Sequence, residues 1–349
     1  MEKFDKYLLI ETATIREALI QLDQLAADAT IFVIDSAGQL KGSITDGDIR
    51  RGLIRGVQPE GTVSEIINKT PKFIRKGENA LSKLIEFRSK NIQLIPVLNK
   101  ENDTITNVLN FRIHRSYLPI DAIIMAGGKG QRLKPLTDTI PKPLLKVGDK
   151  PIIERNIDRL AIYGIDDLTI SLNYLGEQLE DYFGDGSSKG ISINYVWEEE
   201  PLGTIGAVGL IEEFNNDYVL VMNSDLLTNI DFESFFIDFV KSEADLSILS
   251  IPYKIDVPYA VLETKNDRIT SLKEKPRYTY YSNGGIYLMK KEILNRIPKG
   301  NFYNATDLIE ELIRENKHVK TYPLVDYWLD IGNHDDFQKA QQDVHHIKF

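Results

Sequence analysis

The residues best able to do chemistry begin at an apolar run, Asp121-Ala122-Ile123-Ile124-Met125-Ala126, that empties into Gly127-Gly128-Lys129-Gly130-Gln131-Arg132-Leu133. Glycines directly after a strand let the backbone approach a ligand closely and aim successive N–H groups at an anion. Arg132 follows at once, and Pro141-Lys142-Pro143 comes soon after. Two fixed cations beside such a hollow suit a triphosphate, because hydrogen bonds to ionised oxygens are about twice as strong as neutral ones. The loop is neither of the two commonest phosphate loops. Lys129 is followed by Gly130, where a Walker loop needs Gly-Lys-Ser/Thr. Counting from Gly128, Leu133 takes the place of the dinucleotide fingerprint's third glycine, which disfavours a dehydrogenase. A second run, Tyr218–Met222, ends in Asn223-Ser224-Asp225. A carboxylate just past a central parallel strand lies at the crevice where α/β ligands bind. Magnesium prefers one or two carboxylates plus substrate phosphates, and Asp225 fits that habit. The five histidines form no catalytic set, and the absence of cysteine excludes a thiol nucleophile, thiolate metal sites and disulfides.

The elements that must position these groups fall into two segments. A chain of 349 residues suggests about two domains. With 42% hydrophobic and 27% charged residues it has the balance of a soluble globular protein, and its net charge of −10 argues against a nucleic-acid-binding surface. The start carries acidic residues and no long apolar core, so no secretory signal is read there, and no apolar run approaches membrane-spanning length. A cytoplasmic location is expected. Residues 1–115 show one pattern twice. Thr14–Leu25, with Ile15, Ala18, Leu19 and Leu22 on its apolar stripe, predicts a helix. Strands Ala29–Asp35 and Gly42–Thr45 and a helix Asp46–Ile54 follow. Helix Asn79–Arg88 and strands Leu94–Leu98 and Thr104–Leu109 repeat the order with Val97 64 residues after Val33, as in two units closing on each other. Pro119 marks a boundary before a second domain over 120–349.

Gly42-Ser43-Ile44-Thr45-Asp46-Gly47-Asp48-Ile49 fits the G-x-x-T-x-x-D-[IL] stretch of the CBS (cystathionine β-synthase) domains, so residues 1–115 resemble a tandem CBS pair. The resemblance implies an α+β regulatory or oligomerising domain in which Thr45 and Asp48 hold the ribose and phosphate of a regulatory nucleotide. The second copy departs from it, with Leu109 and Arg112 at the matching places. Carboxylates at a helix start also cap it unaided, which Asp46 or Asp48 could do here.

The second segment resembles the sugar-1-phosphate nucleotidyltransferases, of the mannose-1-phosphate guanylyltransferase kind. The resemblance rests on Ala126–Thr137, Pro141-Lys142-Pro143 and Lys150-Pro151-Ile152, and continues in order almost to Phe349. It implies a Rossmann-like α/β domain with a mixed, mostly parallel sheet. It also implies that the Ala126, Gly127, Gly128 and Gly130 region and Arg132 hold the NTP phosphates, while Lys142 neutralises charge near the α-phosphate or the incoming sugar phosphate. Asp225 matches the family's G-D motif with Ser224 in place of glycine, and Asp330, in Trp328-Leu329-Asp330-Ile331-Gly332, matches W-x-D-x-G; together they would hold Mg²⁺. Arg132, Lys142 and Asp225 are the catalytic candidates.

For the acceptor, Glu274-Lys275-Pro276 resembles E-K-P, with Lys275 on the phosphate and Glu274 on sugar hydroxyls. Asn283-Gly284-Gly285-Ile286-Tyr287 resembles N-x-G-x-Y lining the sugar pocket, and Thr306-Asp307 resembles T-D, where Thr306 reaches the sugar or its phosphate. Ala260 replaces a glycine in P-[YF]-G-V, which would alter the acceptor sugar or narrow the pocket mouth. For the base, Pro201-Leu202-Gly203-Thr204 resembles P-L-G-T, and Asn173 ends a strand near the base pocket. Glu198 or Glu199 could accept from guanine N1 and N2, although loop glutamates usually face solvent. The architecture resembles bacterial enzymes that activate amino sugars for nonulosonic (legionaminic) acid and surface glycans. GTP and glucosamine 1-phosphate are therefore the expected substrates, in a homo-oligomer. UTP, dTTP or CTP remain alternatives, as does phosphocholine held by Tyr278, Tyr280 and Tyr281; a catalytically inactive nucleotide-sensing subunit is the reading from another class.

Overall fold

The computed structural model describes residues 4–347. Strand β1 (Leu8–Ile10) leads to α1 (Ile15–Leu25), which opens on a capping box: Thr14 Oγ1 accepts from the Glu17 amide at 3.2 Å, and the Thr14 amide donates to Glu17 at 2.7 Å. Ile15, Ala18 and Leu22 are buried, whereas Leu19 is exposed. β2 (Thr30–Ile34), β3 (Leu40–Thr45) and α2 (Asp46–Ile54) complete the first unit, with β2 parallel to β1 and antiparallel to β3. The second unit repeats this with β4 (Ile74–Arg75), α3 (Leu81–Ser89), β5 (Leu94–Leu98) and β6 (Ile105–Asn110). β5 lies 64 residues after β2 at both ends, as the repeat predicts. Tyr7 and Phe32 of the first unit pack on Leu94 and Val108 of the second, and backbone bonds Leu40 N–Asp103 O and Ile105 N–Gly38 O lace the units together. Residues 111–119, directly after β6, form no helix. Leu109 and Arg112 stand where Thr45 and Asp48 make the capping box of α2, so the second unit lacks that start signal.

Beyond the junction the chain enters β7 (Ile120–Met125), then β8 (Lys146–Val147), β9 (Lys150–Pro151), α4 (Ile152–Ile162), β10 (Asp167–Leu172), α5 (Glu177–Phe183) and β11 (Ser192–Trp197). β12 (Tyr218–Asn223), β13 (Leu226–Thr228), α6 (Phe232–Lys241), β14 (Leu246–Asp256), β15 (Val261–Lys265) and β16 (Arg268–Lys273) follow. The chain closes with β17 (Arg277–Lys290), α7 (Ala305–Arg314), β18 (Val319–Pro323), β19 (Trp328–Asp330) and α8 (His334–Asp343). The central sheet runs β11-β10-β7-β12-β17-β14-β18 and is parallel except for β17. It is the mixed, mostly parallel sheet the resemblance implies.

Successive side chains of β7 alternate between two cores, so both faces must be covered. Ala122 and Ile124 pack with Ile153 and Ile157 of α4 and Phe235, Phe236 and Phe239 of α6; Ile123 packs with Leu308 and Leu312 of α7. The N-terminal half docks at the opposite end of the sheet from the glycine loop. Lys76 pairs with Asp167 at the start of β10 (3.0 Å), Arg88 pairs with Glu233 of α6 (2.7 Å), and Leu81 enters the main core. No helix among the described residues is long and apolar enough to cross a membrane.

Candidate active site

Parallel strands deliver their C-terminal ends to one edge of the sheet, and the loops there form the crevice. The loop after β7 is pinned at its root, where the buried Ala126 donates its amide to Ser171 O on β10. Gly130 has φ +59° and leaves no room for a side chain: a Cβ would lie 2.9 Å from Lys142 Cβ. A Cβ on Gly127 would lie 2.6 Å from Glu198 Oε1. Gly130 is therefore required by its backbone and its packing, Gly127 stands against the Glu198 side chain, and Gly128 faces open space. Leu133 is buried and anchors the turn that presents Arg132, whose guanidinium lies against Gly332 beside Asp330.

A cleft of about 500 Å³ opens here, lined by Gly127, Gly128, Gly130, Arg132, Lys142, Pro201, Gly203, Thr204 and Asp225, with Glu198 and Phe302. β12 ends at Asn223 and the chain turns directly into β13, whose Leu226 pairs with Asp330 of β19. The Ile331 amide donates to Asp225 O at 3.1 Å. The two aspartates, 105 residues apart in sequence, thus lie side by side. Lys142, nearly buried, donates Nζ to Asp225 Oδ2. Burial and the neighbouring Asp225 charge push the Asp330 carboxyl up to about 6, against the pull of Lys142 and Arg132.

Asp225 Oδ1 and Asp330 Oδ1 are both buried without a hydrogen-bond partner among the described residues. Orphaned buried carboxylate oxygens are costly, and here they come from adjacent residues at a phosphate-sized hollow. That donor set fits Mg²⁺ completed by substrate phosphates. It does not fit an all-protein cage, since no group of three or more His, Cys, Asp or Glu that could hold a metal occurs among the described residues.

A second compartment of about 270 Å³ shares Thr204 and Asn223 with the first and is lined by Asn283, Gly284, Tyr287, Thr306, Trp328 and Asp330. Trp328 Nε1 donates to Gly284 O (2.9 Å), and Asn283 Nδ2 donates to Tyr287 Oη (2.8 Å), which fixes the wall. Thr306 sits in the first turn of α7. The cap there is Asn304, paired with Asp307, and the Ala305 amide donates to Thr204 Oγ1 at 2.9 Å. The Thr204 hydroxyl therefore holds the helix that carries Thr306.

Several expected positions differ. Glu274 and Lys275 line neither compartment; they sit exposed on an arm formed by the outer parts of β14 and β17 with β15 and β16. Ala260 and the tyrosines Tyr278, Tyr280 and Tyr281 are on the same arm and line neither compartment. The reason is topological: the strands run past the edge of the core, out of reach of sheet-level sequence motifs. Asn173 stands behind the cleft, donating Nδ2 to Glu198 O at 2.7 Å. Thr45 and Asp48 are engaged with each other, Thr45 Oγ1 donating to Asp48 Oδ2 at 2.7 Å, while Asp48 Oδ1 takes Arg51. That is the helix cap the residues form unaided, and no described cavity includes them.

Two further residues line the cleft without a motif that places them there. Glu198 is buried and lines the cleft; its Oε2 accepts the Leu202 amide at 3.0 Å, and burial raises its carboxyl above the usual range. Phe302 stands exposed at the mouth, with no motif to announce it.

A mixed α/β sheet with a glycine hollow, a lysine and two converging aspartates at its carboxyl edge defines a phosphate-handling transferase. The nucleotidyl transferase family model matches residues 121–347, and the chain belongs to that family. It is 32% identical over 232 residues to a mannose-1-phosphate guanylyltransferase of Mycobacterium tuberculosis, covering 64% of each chain. It is 33% identical to a D-glycero-alpha-D-manno-heptose 1-phosphate guanylyltransferase of Aneurinibacillus thermoaerophilus, over 65% of this chain and 99% of that one. Among solved structures, a Bacillus anthracis protein provisionally assigned as a glucose-1-phosphate thymidylyltransferase aligns with TM-score 0.54 and 26% identity, over 66% of this chain and 97% of that one.

Proposed function

We propose that the chain transfers a nucleotidyl group from GTP to a sugar 1-phosphate, an amino sugar such as glucosamine 1-phosphate, releasing pyrophosphate. The observation that carries this reading is the convergence of Asp225 and Asp330, each with an orphaned buried oxygen, beside Lys142 and the Gly127–Gly130 hollow. A phosphate oxygen of the acceptor forms a bond to the α-phosphorus as the bond from that phosphorus to the β-phosphate bridge breaks. The nucleophile is already an anion, so no base is needed. Orientation supplies up to roughly 7–11 kcal/mol of such a barrier, and preorganised cations add to it. Gly127–Gly130 and Arg132 hold the triphosphate, and Lys142 faces the charge that develops. Asp225 and Asp330 would hold Mg²⁺, which when bound neutralises phosphate charge. Asn283, Thr306 and the Trp328–Gly284 wall orient the sugar.

Glu198 supports guanine. A carboxylate accepts two parallel bonds from N1–H and N2–H, whereas uracil and thymine offer one donor between two acceptors. The relatives named as guanylyltransferases point the same way. The N-terminal half is read as a regulatory or oligomerising CBS pair, and the pathway as cytoplasmic nucleotide-sugar supply for surface glycans; the 64-residue repeat supports the pair. An inactive sensor predicts missing charged groups, yet Arg132, Lys142 and Asp225 line one cleft, with Asp330 beside Asp225. Pyrophosphate release over four NTPs and a set of sugar 1-phosphates with phosphocholine tests the reading. GTP with an amino sugar 1-phosphate should turn over fastest; turnover of phosphocholine alone, or of nothing, would overturn it.

A further inference from the structure

Where the two halves of the chain meet, a cavity of about 270 Å³ opens among α3, the junction after β6, the end of α4 and the start of α6. Arg88, His114, Arg115, Tyr163, Asp231 and Glu233 line it. Its basic wall is fixed in place. The Arg115 amide donates to Ile162 O at the end of α4 (2.7 Å), and its Nη1 donates to Tyr163 Oη at 3.2 Å. Arg88 donates to Arg115 O and, at 2.7 Å, to Glu233 Oε1. Arg159 of α4 lies close by and donates to Ile230 O. Burial, with the Arg115 charge added, holds the Arg159 guanidinium below its usual range against the pull of Tyr163 and Asp231. Three guanidiniums thus meet two carboxylates. Of those two, Glu233 is engaged by Arg88, and Asp231 caps α6 through the Ser234 amide at 2.9 Å. The balance favours an oxyanion, the group a guanidinium binds best. A second feature narrows the ligand. Glu233 Oε2 is buried with no hydrogen-bond partner among the described residues. An orphaned carboxylate oxygen is completed by a donor, which a hydroxyl supplies and a bare anion does not.

We propose that this cavity is a second ligand site, for a phosphorylated sugar, with the phosphate on Arg115 and a hydroxyl donating to Glu233 Oε2. Its volume equals the 270 Å³ of the compartment that holds Asn283 and Thr306, so a monosaccharide phosphate is the right size for both. Occupancy reaches the active site through one short segment. Buried Asn156 of α4 donates Nδ2 to Ser224 O at 3.3 Å, Arg159 donates to Ile230 O, and Tyr163 meets Phe232 edge to face with ring centroids 5.5 Å apart. Residues 224–232 therefore lie along α4 from the cleft to the cavity. Asp231, in the cavity wall, is six residues after Asp225, at most about 21 Å of chain. A ligand that clamps the start of α6 to the end of α4 holds the same segment that carries Asp225. Nucleotide in the cleft and sugar phosphate at the seam should thus each raise the other's affinity by one common factor.

Calorimetric titration of the full chain tests the site without turnover. The probes are glucose 6-phosphate, glucosamine 6-phosphate and fructose 6-phosphate, none of which carries the anomeric phosphate of the proposed acceptor. At least one should bind at one site per chain. Arg115→Glu, on an exposed side chain, should abolish that binding with circular dichroism and melting unchanged. Arg115→Lys should keep part of it, and Thr306→Val, in the other compartment, should keep all of it. Inorganic phosphate should bind at least about tenfold more weakly, because it has no sugar hydroxyl for Glu233. No binding by any of the three esters, binding that survives Arg115→Glu, or inorganic phosphate bound as tightly as the esters would each overturn the site. The link to the cleft rests on the GTP reading and is measured separately. With saturating GTP and no acceptor, the dissociation constant of the ester should fall about fivefold or more. An unchanged constant while GTP itself binds would overturn the link, whereas a chain that binds no GTP would overturn the guanylyl reading instead.

Discussion

Asp225 has two neighbours that pull in different directions: the Lys142 ammonium, which it holds, and Asp330, whose charge it opposes. Asp225→Asn keeps the size and an acceptor for Lys142 but removes the charge that would hold the metal. Turnover should fall by about 10²–10³, the scale of losing one preorganised electrostatic group, with circular dichroism and melting close to the parent. Near-normal rates would remove Asp225 from the site. Glu198 is the second residue whose single change is informative. Glu198→Gln still accepts the Leu202 amide, but its new NH₂ opposes the donors of guanine. Competition between GTP and UTP should show kcat/KM for GTP reduced by about 10–100-fold, within the range a lost polar contact gives, with UTP little changed. These roles were unequally legible. The glycines, Arg132, Lys142 and Asp225 announce themselves by type and spacing, whereas Glu198 sits among three consecutive glutamates, and only burial distinguishes it.

At the scale of elements, the site depends on how α7 begins. Asn304 and Asp307 satisfy the first free amides, and Thr204 takes the Ala305 amide. Asn304→Ala should cost about 1 kcal/mol and let the turn carrying Thr306 fray. The expected signature is a raised KM for the sugar phosphate with a smaller change in kcat, together with a melting point lower by a few degrees. Elements with a local signal were readable: α2 spans the residues predicted for it, because Thr45 and Asp48 form its cap. The strand pattern of the second repeat was readable for the same reason. The arm was not. Glu274 and Lys275 have no local property that reveals whether β16 and β17 run over the pocket or past it.

Across the whole molecule, the N-terminal half meets the transferase sheet at a crowded carboxylate cluster. Asp121, Asp166 and Asp167 lie at the strand starts, and Lys76 from the N-terminal half is paired to Asp167. Burial, reinforced by the Asp167 charge, pushes the Asp166 carboxyl up to about 6 against the pull of Lys76; burial also raises Asp121. The sign follows from linkage. The folded protein keeps the Asp166 proton to higher pH than the unfolded chain, so this contribution to stability is full below about pH 4 and is lost as pH rises through about 6. Lys76→Met removes the cation that holds the charged cluster. Its melting point should drop more at about pH 8 than at about pH 5, and adding Asp166→Asn should restore part of the loss. An equal drop at both values would mean that Lys76 acts by packing alone.

The sequence by itself determined the local parts: the alternation that makes strands, the caps that start helices, the 64-residue repeat and the glycine loop with its cations. Each is specified by neighbours within a few residues. Only the tertiary structure decided that Asp225 and Asp330 are adjacent, that Glu198 is buried in the cleft and that Glu274 and Lys275 sit on an exposed arm. Those facts depend on β13 pairing with β19, and on where long strands outrun the core. Such long-range pairings are set by the packing of the whole sheet, because no short stretch of side chains carries enough burial to fix them.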